Sequence, residues 1–214
     1  IGASGPIHIR WYGIMYIAGF VFSYFLVLKQ KRAEKLGLQG ETLQDLFFHM
    51  IVGLMIGARL GYLVFYQYAA WKYYLSNPVE IIAVWHGGMS FHGGLLGALA
   101  GGWLFCKRKA MPFLAAADCV IVTAPIGLGL GRLANFINGE LYGRVTDVPW
   151  AMIFPGGGDS PRHPSQLYEA FFEGIFLFLV LWGLRRKVKT PGAMLGFYLI
   201  GYGTVRFFIE YFRE

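Results

Sequence analysis

What most constrains this chain is a succession of six apolar runs, at residues 11–28, 43–66, 88–106, 112–137, 167–184 and 192–209. Each approaches or exceeds the roughly 20 residues that cross a hydrocarbon core as a helix. Inside lipid every backbone polar group must be satisfied within the element itself or by closing a barrel. Uninterrupted apolar runs without polar alternation favour the helix. Composition agrees: 56% of residues are hydrophobic and 14% are charged, where a soluble domain carries roughly a quarter charged. The expected fold is an all-α polytopic membrane protein of about six transmembrane helices, forming a single integral-membrane domain over residues 1–214.

The connectors set the orientation. Lys29, Lys31, Arg32 and Lys35 follow the first run, Lys107, Arg108 and Lys109 the third, and Arg185, Arg186, Lys187 and Lys189 the fifth. These eleven of the nineteen Lys and Arg fall on one face, which the positive-inside rule makes cytoplasmic. Both ends of the chain then lie outside, and Ile1 to Arg10 reads as an exposed lead-in. The aromatic segment 67–86, with Trp71, Tyr73, Tyr74 and Trp85, suits an interfacial belt. Residues 138–167, rich in Pro and Gly, form an extracytoplasmic cap between helices four and five. No cleavable leader is expected, because the first run lacks a small-residue cleavage site and precedes its basic cluster. The net charge of +7 sits in connectors rather than on a groove-reading face, so no nucleic-acid partner is expected. Cys106 and Cys119 have neither metal-ligand nor disulfide spacing and read as thiols of apolar helices. Glycines recur every four residues in the second run (Gly53, Gly57, Gly61) and the third (Gly93, Gly97, Gly101), a pattern that lets helices approach closely.

Against this background the polar residues within spans stand out, since ionisable groups in a membrane are costly and mark functional sites by default. The densest stretch is Leu128 to Arg144, which carries Arg132, Asn135, Asn138, Glu140 and Tyr142. Under the expected topology Tyr12, Arg59, Tyr62, His92, Gln166, Tyr168, Glu169, Tyr202, Arg206 and Glu210 fall near the same outer level. His92 is flanked by Gly87, Gly88, Gly93 and Gly94, which permit close approach of a ligand; the alternative is a structural hydrogen-bonder. Arg59 is expected to snorkel or to pair helices. Arg132 and Arg206 together suggest a fork for phosphate, with structural ion pairing as the alternative, although Glu140 and Glu210 supply only part of the anionic partners required. An anionic phospholipid headgroup, its tails left in the bilayer, is the natural ligand of such a pocket. The guanidiniums would stabilise a departing phosphate and His92 would accept a proton at neutral pH.

Several segments resemble the bacterial prolipoprotein diacylglyceryl transferases. They are Trp11-Tyr-Gly13, Gly57-Ala-Arg-Leu-Gly-Tyr62, His92-Gly-Gly-Leu-Leu-Gly97, Gly131-Arg-Leu-Ala-Asn-Phe-Ile-Asn-Gly-Glu140, Arg162-His-Pro-Ser-Gln-Leu-Tyr-Glu169 and Gly201-Tyr-Gly-Thr-Val-Arg206. The resemblance implies an inner-membrane enzyme that moves a diacylglyceryl group from phosphatidylglycerol to the lipobox cysteine of a preprolipoprotein, with no metal or organic cofactor. It implies catalytic roles for Tyr12, His92, Arg132, Glu140, Tyr202 and Arg206. Phosphatidylglycerol would be held by Arg132, Asn135, Gly143, Arg206 and Glu210. It also implies a seventh helix beyond the six apolar runs of this sequence. Two other classes compete. An anion transporter or channel needs a polar route across the bilayer, whereas the cytoplasmic halves of the helices are almost wholly apolar; no internal repeat of the kind that marks transporters built by duplication is evident. An intramembrane serine protease using Ser90 needs a Gly-x-Ser-Gly setting that Ser90 lacks.

Overall fold

The structure is a computed structural model that describes residues 11–214; the expected lead-in, Ile1 to Arg10, lies outside the described residues. Among the described residues the secondary structure is helical, with isolated β-bridges but no strand. The principal helices are α1 (Trp11–Leu28), α2 (Gly40–Phe65), α3 (Phe91–Arg108), α4 (Phe113–Ile121), α5 (Ala124–Asn138), α6 (Ser165–Leu184) and α7 (Ala193–Glu210). Three of them, α1, α2 and α6, are long and apolar enough to cross a membrane, and the bent pair α4–α5 makes a fourth if counted as one span. The remaining two long helices, α3 and α7, dilute their apolar content with glycine and polar groups.

The fourth apolar run is broken. It reads as one element in the sequence, but α4 and α5 meet at 43°. Pro125 in the first turn of α5 has no N–H to continue the ladder of α4. The hydroxyl of Thr123, at the junction, donates to the Val120 carbonyl at 2.7 Å.

The chain divides into two compact units. In one, Ala33–Ala116, α2 packs on α3 through the two glycine ladders. A Cβ on Gly57 would lie 2.8 Å from the Cα of Gly97, and one on Gly97 would lie 2.9 Å from the Cα of Gly57. Gly93 faces Gly61 in the same way, with a Cβ–Cα distance of 2.9 Å. The backbones themselves are in contact, as small-residue interfaces in lipid require. The segment between these helices is built of short helical turns that leave Trp71, Tyr73 and Trp85 exposed and bury Tyr74. Arg59 holds this segment. It is 6% exposed, so it does not snorkel. It donates from Nε to the Ile81 carbonyl (3.0 Å), from Nη1 to Gly87 (2.7 Å) and Gly88 (2.9 Å), and from Nη2 to Glu80 (2.5 Å).

The other unit comprises residues up to Arg32 together with Ala117–Glu214. Here α5 is the central element, with α1 on one side and α6 on the other. Glycines mediate both contacts: a Cβ on Gly19 would lie 3.3 Å from Gly127 Cα, and one on Gly174 would lie 2.8 Å from Gly129 Cα. The apolar core joins Val122, Leu177, Leu181 and Met194, against which Tyr198 and Tyr202 pack. Asp118 is buried at the start of α7 and caps it, accepting from the amides of Gly192 (2.8 Å) and Leu195 (3.0 Å) while pairing with Arg32 at 3.0 Å. That anion satisfies two of the orphan donors at a helix N-terminus. Its basic-connector end of the unit is therefore less apolar than the sequence pattern suggests.

Two consequences are measurable. Gly97→Val places methyls where the Gly53 and Gly57 backbones lie, which calls for separation of α2 and α3. Overpacking of this kind costs about 1–3 kcal/mol or more and should appear as a lower melting temperature of the detergent-solubilised protein. An unchanged melting temperature would show that the ladder does not set the helix separation. Arg59→Met leaves partly buried carbonyls of the 80–88 segment without this donor, at a cost on the order of 1–3 kcal/mol. Trypsin cleavage at Lys72 should accelerate in that variant, and wild-type resistance would refute the holding role.

Candidate active site

The polar groups of the α5 unit form two adjoining clusters. The first gathers around Glu140. Helix α5 ends at Gly139, whose left-handed conformation (φ +68°) turns the chain so that the Glu140 amide donates back to the Asn135 carbonyl at 3.0 Å. The Glu140 carbonyl in turn accepts from Gln166 Nε2 at 2.7 Å, which fixes the turn to the start of α6. The Glu140 carboxylate is thereby presented to α1. Its Oε1 accepts from the Tyr12 hydroxyl (2.6 Å), from Asn138 Nδ2 (3.0 Å) and, at the limit, from Asn135 Nδ2 (3.5 Å). Asn135 also donates to the Tyr12 hydroxyl. The hydrogen bond from Tyr12, followed by those from the two Asn, favours the ionised form and holds the Glu140 pKa below the ordinary carboxylate value despite its partial burial. Glu140 is thus an anion aimed by three helix-borne donors, and it takes no part in neutralising the arginines. The sequence reading paired it with them; the structure pairs it with Tyr12.

The second cluster is ionic. Arg132 on α5 places Nε 3.1 Å from Glu169 Oε2 and 3.7 Å from Glu173 Oε2. Arg206 on α7 places Nη1 2.5 Å from Glu169 Oε1 and 3.8 Å from Glu173 Oε1, and Nη2 2.8 Å from Glu210 Oε2. A third guanidinium, Arg213, reaches Glu169 Oε1 at 3.6 Å and Glu210 Oε2 at 3.4 Å. Glu169 and Glu173 are fully buried, while the arginine side chains keep 19–25% exposure. Both carboxylates come from α6: Glu173 lies in a π-helical stretch, Ala170–Phe176, and Glu169 immediately precedes it. Such stretches often occur at functional sites.

Of the residues expected from the sequence, Tyr12, Asn135 and Glu140 are in mutual contact, and Arg132, Arg206 and Glu210 belong to the ionic cluster. Tyr202 lies one turn before Arg206 on α7 and stacks on Tyr198, with ring centroids 5.9 Å apart. Gly143 lies where chain segments converge: its amide donates to His163 O at 2.9 Å, and a Cβ there would strike the Phe212 carbonyl and approach His163 Cβ to 2.9 Å. Only glycine fits, so its role in the structure is to allow this approach rather than to offer a side chain. His92 belongs to the other unit, where it is exposed in the first turn of α3. Ser90 immediately precedes that helix as its N-cap; its buried hydroxyl oxygen accepts from the Gly93 amide at 3.2 Å. The protease reading of Ser90 is displaced by this capping role.

Glu173 and Arg213 were missed. A Glu inside an apolar run carries the same cost as the arginines that were singled out, so the signal for Glu173 was present. Arg213 is one of the last residues of the sequence and has no pattern around it. Among the described residues, no three His, Cys, Asp or Glu side chains gather as they would around a metal ion.

Comparison with known proteins addresses the same residues as a whole. Residues 1–214 match the family described as prolipoprotein diacylglyceryl transferase. A protein of Geobacter sulfurreducens named phosphatidylglycerol–prolipoprotein diacylglyceryl transferase is 50% identical over 210 residues, covering 98% of this chain and 80% of its own. Proteins of the same name from Desulfotalea psychrophila (50% over 220 residues, 100% of this chain and 80% of its own) and Pseudoalteromonas atlantica (49% over 214 residues, 100% and 75%) are similar to it as well. This chain belongs to the prolipoprotein diacylglyceryl transferase family.

Proposed function

We propose that this protein transfers the diacylglyceryl group of phosphatidylglycerol to the lipobox cysteine of a preprolipoprotein, the first step of lipoprotein maturation. The observation that carries the reading is the convergence of Arg132 and Arg206, from separate helices, on the single carboxylate of Glu169, in a chain of this family. Two guanidiniums at one point in an apolar unit form a fork suited to a lipid phosphate.

In this reading the cysteine sulfur attacks the terminal glycerol carbon of the diacylglyceryl group. A C–S bond forms as the C–O bond to phosphate breaks, and glycerol phosphate leaves with the electron pair and one more negative charge. Arg132 and Arg206 stabilise that charge as it develops. His92 takes the thiol proton, because a thiol of ordinary pKa near 8.5 needs a base at neutral pH. The Tyr12–Asn135–Glu140 cluster, Tyr202 and Glu210 line and brace the lipid site, and Gly143 closes the fold around it. No metal or organic cofactor enters the scheme. The topology that goes with it has six membrane crossings, a cytoplasmic face carrying the basic connectors, and an extracytoplasmic cap at residues 138–167. The active level is on the outer side of the bacterial inner membrane.

Incubation of the purified protein with labelled phosphatidylglycerol and a lipobox peptide should yield a thioether on the peptide cysteine; absence of transfer would sink the proposal. In the same assay Arg132→Ala should lose about 10²–10³ in kcat and His92→Ala about 10²–10⁴, with both variants inserted in the membrane. A variant that works at the normal rate loses its assigned role. For the topology, a Lys107→Cys substitution in a chain whose Cys106 and Cys119 are replaced by Ala should react with an impermeant thiol reagent only after cells are opened. Labelling of intact cells would reverse the orientation.

A further inference from the structure

Glu173 has no role in the scheme above, yet burying its carboxylate is costly. Its carboxylate is fully buried, and neither oxygen accepts a hydrogen bond among the described residues. The groups nearest in charge are the guanidiniums, Arg132 Nε at 3.7 Å and Arg206 Nη1 at 3.8 Å, each too far for a hydrogen bond and close enough for strong attraction in a dry surrounding. A buried carboxylate that makes no hydrogen bond is a poor stabilising device, since desolvation offsets most of the Coulombic gain. Its position therefore calls for a reason other than stability.

We propose that Glu173 is a positioning residue: its carboxylate holds the guanidiniums of Arg132 and Arg206 turned toward one shared point, where the phosphate of the lipid donor is bound. The inference rests on the phosphate-binding reading of those arginines. Glu169 touches both guanidiniums directly but supplies a single charge for two. Without a second anion between them the two cations repel, and they have unequal escapes. Arg206 already leans on Glu210, which is 59% exposed, at 2.8 Å; among the described residues Arg132 has carboxylate contacts only with Glu169 and Glu173. Removing the Glu173 charge releases Arg206 toward Glu210 and separates the pair. The backbone keeps Glu173 in place for this task. Gly174, its neighbour on the π-helical stretch, packs against Gly129, three residues before Arg132, so α5 and α6 touch at this level.

Charge and shape are separable by substitution in the full chain. Glu173→Gln keeps the shape and loses the charge; Glu173→Asp keeps the charge and loses a methylene. A positioning role predicts that E173Q loses at least about tenfold in kcat/KM, with most of the loss in the KM for phosphatidylglycerol. It also predicts that E173D retains more activity than E173Q, and that the melting temperature of E173Q does not fall. A packing role predicts the reverse order, with E173Q tolerated and E173D impaired. Wild-type kcat/KM in E173Q, or E173D below E173Q, overturns the inference. Should E173Q fail to accumulate, Glu173→Asp and Glu173→Asn make the same contrast at equal size, and equal kcat/KM for that pair overturns it. Wild type and Arg132→Ala run alongside. No transfer by wild type is a failure of the functional reading, whereas active wild type, inactive Arg132→Ala and unimpaired E173Q is a failure of this inference alone.

Discussion

The α5 unit depends on one constraint, the burial of carboxylates beneath guanidiniums in a setting too apolar to leave either alone. A single unpaired charge of this kind would be strongly destabilising, and the pairs return roughly what desolvation takes. Such a cluster does little for stability, but it restricts where its members can be. Glu169 is reached by Arg132 from α5, by Arg206 from α7 and by Arg213 just after it, so two stretches distant in sequence are referred to one carboxylate. The backbone geometry follows. Gly129 against Gly174 brings α5 and α6 together, and Gly139 turns the chain beyond α5 so that Gln166 at the start of α6 can hold the Glu140 carbonyl.

The Ala33–Ala116 unit solves a similar problem without a buried carboxylate. Its two long helices meet backbone to backbone along the glycine ladders, and the one buried arginine, Arg59, is satisfied by carbonyls rather than carboxylates. A guanidinium presents five donors in a fixed fork, and here the fork gathers the loose segment leading to the N-cap of α3. Both units use Arg to converge peptide segments, one on anions and the other on main-chain dipoles.

How much of this was legible follows from what each signal depends on. The four-residue glycine spacing in two runs depends only on helical geometry, and the structure sets those two ladders against each other. The membrane character depends on composition, and the helices bear it out. Arg132, Asn135 and Glu140 stood out because they lie close together in sequence. What stayed hidden depended on tertiary partners. Glu140 pairs with Tyr12, 128 residues away, and nothing local distinguishes that from pairing with an arginine. Arg59 was read from its helix alone, yet its acceptors lie 21 to 29 residues downstream in a segment with no helical periodicity. The break at Thr123 was announced by Pro125, but a long apolar pattern outweighed it. Glu173 was masked in the same way, by the greasy residues on either side.

The two arginines assigned to the lipid phosphate are not equivalent, and their difference orders the proposed site. Arg132 meets Glu169 and Glu173 through Nε. Arg206 spends Nη1 on Glu169 and Nη2 on Glu210. A lipid phosphate that engages Arg206 through the same two nitrogens competes with Glu210, and Arg213 stands ready to take the displaced carboxylate, since it already contacts Glu210 Oε2 at 3.4 Å. In the proposed reaction the phosphate gains charge as the C–O bond breaks, so its hold on Arg206 strengthens in the transition state relative to that of Glu210, whose charge is constant. An interaction that grows along the reaction lowers the barrier, whereas one of fixed strength only tightens binding. In the proposed reaction both guanidiniums gain from the growing charge, and at Arg206 that gain also decides the competition with Glu210.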